Sequence, residues 1–97
     1  MKEVVLKRVV FLKEDELRDV VKEYVKELKN IGVVGNSSGQ EWKTLLCGLW
    51  SGLVHGNRVD RIVIDVRGSR IEVNDCFAFV RVVEWLFGGV GEVIKED

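Results

Sequence analysis

The 97-residue chain is long enough for one domain and too short for two domains with separate cores. Its 46% hydrophobic and 32% charged residues are typical of a folded globular protein and exclude a disordered one. A net charge of −1 argues against a protein that binds DNA with its whole surface, so any contact with nucleic acid must come from a local basic cluster.

No segment has the character of a signal peptide or a membrane span. Residues 1–12 alternate charged and apolar side chains, and no apolar run approaches the ~18 to 20 residues of a membrane span. We therefore expect a cytoplasmic protein. The single glutamine and the many valines lean toward a thermophilic or archaeal source, whereas the absence of proline counts slightly against one.

Residues 1–30 predict a strand followed by a helix. β-branched pairs over residues 3–12 predict a strand with one bend, and its lysine and arginine suggest an edge position. Apolar residues then recur at helical spacing from Leu17 to Leu28. Carboxylates at the start and lysines at the end of this segment complement the helix dipole. Residues 30–32 end the helix.

The middle of the chain predicts a second strand and a second helix. The apolar residues 31–34 predict a short strand, and the leucines and tryptophans of residues 39–54 predict a helix with one apolar face. Gly48 and Gly52 lie on a flank of this helix, where each costs about 1 kcal/mol relative to alanine. We therefore expect another backbone to approach this flank closely.

The last third of the chain predicts a strand, a turn, a helix and a final strand. Residues 61–66, RIVIDV, have the strongest strand pattern of the chain, and RGSR, residues 67–70, predicts a turn. Asn74 is a good N-cap for a third helix, which runs to a stop at residues 88–89. We expect the last strand over residues 90–94.

The third helix is apolar on two sides. Ala78, Val82 and Trp85 form a second stripe that faces away from the first. Because so small a domain offers few elements to cover this stripe, we predict a homodimer with the stripe in its interface. Packing of the first helix over the stripe is the alternative. The first face consists of Cys76, Phe79, Val80, Val83 and Phe87.

In the segment RIVIDVRGSRIEVNDCFAFVRVV, residues 61–83, a strand ends in a basic Arg-Gly turn before a helix. This order resembles the Alba family of small archaeal chromatin and RNA-binding proteins, and the likeness extends over residues 31–94. It implies a dimeric α+β domain, a two-layer α/β sandwich of a mixed four-stranded sheet with two to three helices. The strand over residues 3–12 is then a candidate for the sheet position of the family's last strand.

The resemblance also implies a site that holds phosphates of DNA or RNA. Arg67 matches an arginine of the family's turn, and Arg70 lies one position from its second basic residue. Lys43 is a candidate to join them from the neighbouring helix. Asn36 and Ser37 stand where the family has paired lysines, which removes two formal charges from the expected contact surface.

The loop GNSSGQ, residues 35–40, is a second candidate for anion binding. Ser37 or Ser38 can cap the following helix while neighbouring N–H groups bind a ligand oxygen. The alternative is an ordinary capped helix, in which the serines satisfy those same donors. Nucleotide hydrolysis is not expected, because Lys43 comes a helical turn too late after Gly39 for a Walker-type phosphate loop.

No catalytic or metal-binding constellation is visible in the sequence, so we expect no enzyme activity, metal or cofactor. Cys47 and Cys76 lack the close spacing of a zinc site and are expected to be free, buried thiols. His55 is expected to interact with the dipole at the end of the second helix. Asp60 and Asp65 point to opposite faces of their strand and do not form a carboxylate pair.

The sequence leaves three functions open. The first is an Alba-like homodimer that binds nucleic acid weakly, with RNA as a candidate, through Arg67, Arg70 and residues 36–40. The second is a protein-interaction or assembly subunit with an unidentified partner, which has lost the nucleic-acid surface. The third is a phosphate-ligand or nucleotide-binding protein that uses residues 35–40.

Overall fold

A computed structural model describes residues 9–32, 39–89 and 92 of the chain. This part of the chain is α+β, with three helices and three strands. In chain order the elements are β1 (Val9–Lys13), α1 (Glu14–Asn30), α2 (Gly39–Asn57), β2 (Arg61–Val66), β3 (Ser69–Val73) and α3 (Cys76–Phe87).

The described strands form one mixed sheet with β2 at its centre. β1 pairs with β2 in parallel and β3 pairs with β2 antiparallel. Arg67 and Gly68 connect β2 to β3 with φ values of 52° and 82°. Positive φ at both central residues is the requirement of a type I′ turn, whose twist matches that of the flanking strands. The Arg-Gly dipeptide is therefore the tip of a hairpin, and it leads into β3 and not directly into α3.

The core lies on one face of the sheet. Ile62, Ile64 and Val66 of β2 are fully buried, whereas the residues between them are not. Alternate strand residues point to opposite faces, so the core side of β2 is the side of these three residues. The buried side chains of the helices belong to the same continuous cluster. In α1 these are Leu17, Val21, Val25 and Leu28.

The hydroxyl group of Tyr24 links α1 to α2. It donates a hydrogen bond of 2.7 Å to the carbonyl oxygen of Leu45. A Cβ atom built on Gly48 would lie 3.1 Å from this hydroxyl oxygen, whereas one on Gly52 would meet no described atom within 4 Å. Among the described residues, a side chain and not a backbone approaches Gly48, and none approaches Gly52, so the predicted close backbone is not shown.

The amino-terminal end of α3 is capped by Asp75. Its side-chain Oδ1 accepts a hydrogen bond of 2.8 Å from the backbone N–H of Ala78. The expected N-cap, Asn74, is one residue too early. At the other end Gly88 adopts φ 82° and stops the helix, as predicted.

The α+β class and the mixed sheet are confirmed, but four strands are not shown. β1 is confirmed as an edge strand of the described sheet, and residues 3–8 of its predicted range lie outside the described part. Ile31 and Gly32 lie in a turn after α1, where a strand was expected, and residues 33–34 are outside the description. Of the predicted last strand only Glu92 is described, and it is helical.

Candidate functional site

Four side chains form the exposed face of α3. Phe77, Arg81, Glu84 and Trp85 recur at intervals of three and four residues, so they lie on one side of the helix, opposite its buried side. Phe77 is 73% exposed and Trp85 is 48% exposed. Large aromatic rings exposed on the same side of a helix indicate a binding surface on a small protein. We call these four residues the α3 face.

The β2–β3 turn places a cation against one edge of the α3 face. The guanidinium carbon of Arg67 lies 5.0 Å from the centroid of the Trp85 ring. A cation–π contact at an exposed site contributes about 0.5–1 kcal/mol. This contact holds the Arg67 side chain on the helix side of the sheet and keeps it beside an exposed ring.

A groove between α2 and α3 borders the other edge of the α3 face. Its volume is about 480 Å³, and its walls include Lys43 and Cys47 from α2 and Phe77, Arg81 and Glu84 from α3. Lys43 Nζ lies 3.6 Å from Glu84 Oε1, a surface ion pair worth at most about 1 kcal/mol. Arg81 has no ion-pair partner among the described residues.

The groove and the turn together give a local excess of positive charge. Lys43, Arg67 and Arg81 contribute three cations around the α3 face, against the carboxylates of Glu84 and of Asp75 at the start of α3. The chain as a whole has a net charge of −1. The α3 face with the groove and the turn at its edges is therefore an aromatic surface with a small excess of positive charge, on a slightly acidic protein.

Arg70 does not join this surface. It lies on the face of the sheet that points away from the core, which we call the open face. There it is opposite Asp65 in the neighbouring strand. On the same face the Nη1 atom of Arg61 is 3.0 Å from Oε1 of Glu72. Two carboxylates thus balance two arginines here. Arg67 and Arg70, which were predicted to share a site, point to opposite sides of the sheet.

The remaining residues of the predicted anion site, Asn36, Ser37 and Ser38, lie outside the described residues. The same holds for most of the loop over residues 35–40, of which the structure describes only the backbone of Gly39 and Gln40 at the start of α2. The hypothesis of a phosphate ligand in this loop therefore stays a prediction.

The predicted interface stripe on α3 is only partly exposed. Val82 is 7% exposed and belongs to the core of the chain, and Ala78 packs against that core. Trp85 alone offers a large exposed surface. A dimer interface on this helix stays a prediction, and among these three residues it would depend on Trp85.

The two cysteines are free thiols, and they are half-buried where full burial was predicted. Cys47 in α2 and Cys76 in α3 are hydrogen-bonding neighbours. Burial raises the pKa of the Cys47 thiol to about 11, and the Cys76 side chain adds to this shift. His55 lies in the last turn of α2, as expected, with its Nδ1 atom 3.3 Å from Ser51 Oγ.

Sequence reasoning missed Phe77 and Arg81 as members of a site. The signal was available, because both residues fall opposite the apolar face of α3 at helical spacing. Within the described residues, no group of three or more His, Cys, Asp or Glu side chains could hold a metal ion. None of the described helices combines the length and the apolar character that crossing a membrane requires.

Comparison with known proteins adds no relative to this description. Models of protein families, curated protein sequences and solved structures were each searched, and none of them matches the chain.

Proposed function

We propose that the chain binds single-stranded nucleic acid weakly, with RNA as the first candidate, through the α3 face. The observation that carries this proposal is the stacking of Arg67 on the half-exposed ring of Trp85, on the same side of α3 as the exposed Phe77 and Arg81. The proposal keeps the class of ligand that the Alba resemblance implies. It moves the contact surface from the pair Arg67 and Arg70 to the α3 face.

The chemistry of the α3 face suits an unpaired strand better than a duplex. Exposed aromatic rings stack with unpaired bases, each stacked base contributing about 1–3 kcal/mol. In a duplex each base is already stacked on its neighbours, so its faces are not accessible to the rings of Phe77 or Trp85. Guanidinium groups such as those of Arg67 and Arg81 bind phosphate oxygens and stack on bases as well.

The number of cations limits the affinity. Lys43, Arg67 and Arg81 can contact three phosphates at most, and Lys43 already pairs with Glu84. On single strands each neutralised phosphate contributes about −0.7 to the slope of log affinity against log salt. We therefore expect a slope no steeper than about −2 and binding that is strongest at low salt.

Fluorescence anisotropy of a labelled oligouridine and of a DNA duplex, titrated with protein across a salt series, tests the proposal. Trp85→Ala and Arg81→Glu should each weaken RNA binding at least severalfold, because they remove a stacking ring or reverse a phosphate contact. Arg70→Glu is the matched control, since it makes the same charge change on the open face of the sheet. Equal losses from Arg81→Glu and Arg70→Glu, or no binding at low salt, would contradict the α3 face as the site.

A protein-interaction or assembly role is the second candidate, and the 73% exposure of Phe77 favours it. Exposed aromatic rings are also typical of the buried centre of protein interfaces. A homodimer built on this surface should become a soluble monomer when Trp85 is replaced by glutamate. Size-exclusion chromatography with light scattering measures the change, and a folded Trp85→Glu variant that remains dimeric would place the interface elsewhere.

A further inference from the structure

The two cysteines come together where α2 packs against α3. Cys47 lies in the middle of α2 and Cys76 is the first residue of α3. Cys47 forms part of the groove wall together with Phe77, the neighbour of Cys76, and Val80, one turn further along α3. The two thiols are hydrogen-bonding neighbours, and neither is in a disulfide.

Two thiols that are in contact and come from different elements are in a position to form a disulfide bond that joins those elements. We propose that Cys47 and Cys76 are a reversible dithiol–disulfide pair, oxidised by small-molecule disulfides, that cross-links α2 to α3. This pair is separate from the α3 face, because neither cysteine belongs to its four residues.

The oxidation is a double exchange. The sulfur of one cysteine attacks one sulfur of the small-molecule disulfide, breaks its S–S bond and releases the other half as a thiolate. The sulfur of the other cysteine then attacks the first cysteine's sulfur and expels the second half as a thiolate. The two protein thiols are oxidised, the small-molecule disulfide is reduced to two thiols, and the two thiol protons pass to the released sulfurs.

Burial and the contact with Cys76 raise the pKa of Cys47 to about 11, so Cys47 is mostly protonated at neutral pH. Cys47 is the attacking sulfur in one of the two exchange steps, whichever cysteine reacts first. Because the thiolate is the nucleophile, formation of the intramolecular disulfide should become faster as the pH rises towards this pKa.

The cross-link would fix the separation of α2 and α3 along one wall of the groove. It would also close a loop of about 30 residues, and the unfolded chain loses entropy when such a loop is closed. The native protein should therefore favour the disulfide more strongly than the unfolded chain does. This difference can be measured without any substitution.

The experiment equilibrates the protein in mixtures of reduced and oxidised glutathione, once in buffer and once in concentrated urea. After acid quenching, mass spectrometry measures the fraction that has lost two hydrogen atoms. We expect the equilibrium constant for disulfide formation to be about 100-fold larger in the native protein than in urea, or at least tenfold larger if the native bond is strained. A native constant less than tenfold above the unfolded one would overturn the proposal.

Peptide mapping identifies the bond. Trypsin cleaves after Lys43, Arg58, Arg70 and Arg81, so the disulfide should join the peptides of residues 44–58 and 71–81 from one chain. Cys47→Ser and Cys76→Ser are the controls, and each should accumulate only the mixed disulfide with glutathione. The proposal is also overturned if the wild-type disulfide forms only between two chains.

Discussion

Alanine substitution at Gly48 tests the contact between α1 and α2. In a helix interior alanine is more stable than glycine by about 1 kcal/mol. At Gly48, however, the new Cβ would lie 3.1 Å from the hydroxyl oxygen of Tyr24. The hydroxyl must shift by a few tenths of an ångström, which weakens its 2.7 Å hydrogen bond to the carbonyl oxygen of Leu45. A neutral hydrogen bond contributes about 1 kcal/mol, so the gain and the loss should nearly cancel.

A double-mutant cycle separates the two effects. Tyr24→Phe removes the hydroxyl group, so Gly48→Ala in that background should recover the full gain of about 1 kcal/mol. The expected coupling energy between the two positions is therefore about 1 kcal/mol. Gly52→Ala is the control on the same helix. No described atom lies within 4 Å of its Cβ position, so it should stabilise the protein in both backgrounds.

Urea unfolding followed by circular dichroism gives the four free energies of unfolding. The comparison is valid if the dependence on urea concentration is the same for all variants. The reasoning is refuted if Gly48→Ala stabilises the protein with Tyr24 present as much as Gly52→Ala does. In that case the 3.1 Å approach would carry no energetic penalty.

Three further predictions concern single sites. Asp75→Ala should lower the free energy of unfolding by about 1 kcal/mol, because it removes the N-cap of α3, while Asn74→Ala should leave it nearly unchanged. Gly68→Ala should lower the free energy of unfolding by about 1–2 kcal/mol, since alanine is strained at positive φ. Urea unfolding measures all three variants. Equal free energies for Asp75→Ala and Asn74→Ala would contradict the assignment of Asp75 as the N-cap. Stability should also fall at alkaline pH, because burial raises the pKa of Cys47 from 9.0 to about 11 and that of Tyr24 above 10.0. Both groups favour folding while they are neutral. The Cys47 contribution is complete below pH 9 and is lost as the pH rises through 11, and the Tyr24 contribution is complete below pH 10 and is lost as the pH rises through its raised pKa. The urea midpoint should fall across this range, and Cys47→Ser should reduce the fall; a midpoint that does not change with pH would contradict the assignment.

Local periodicity was enough to predict the helices and the central strand. The spacing of Leu17, Val21, Val25 and Leu28 defines the buried side of α1, and all four are buried. The alternation in β2 likewise places Ile62 and Ile64 in the core. Such patterns are readable because one face of each element must be apolar for the fold to form.

Periodicity in the sequence did not predict β3. It is short, its apolar residues are only Ile71 and Val73, and its partner strand determines its conformation. The turn before it was equally hard to recognise as a hairpin tip. Type I′ turns favour Asn-Gly or Asp-Gly, and here Arg67 adopts the positive φ that asparagine would adopt more easily.

The candidate site depends on contacts between distant parts of the chain. The ion pair of Lys43 with Glu84 and the contact of Cys47 with Cys76 both require α2 to pack beside α3. No spacing rule in one sequence predicts that packing. The stacking of Arg67 on Trp85 likewise follows from the tight hairpin, which brings the tip of the turn to the helix.

The central strand β2 pairs with two strands, and the chain segment that separates the paired strands differs greatly in length between the two pairings. The β2–β3 pairing needs only the two residues of the turn, so it can form early and locally. The β1–β2 pairing joins Val9 to Arg61, about 50 positions apart, so the chain must lose considerable entropy before that contact forms. The β2–β3 hairpin should therefore form first, and docking of β1 should complete the sheet and limit the rate of folding.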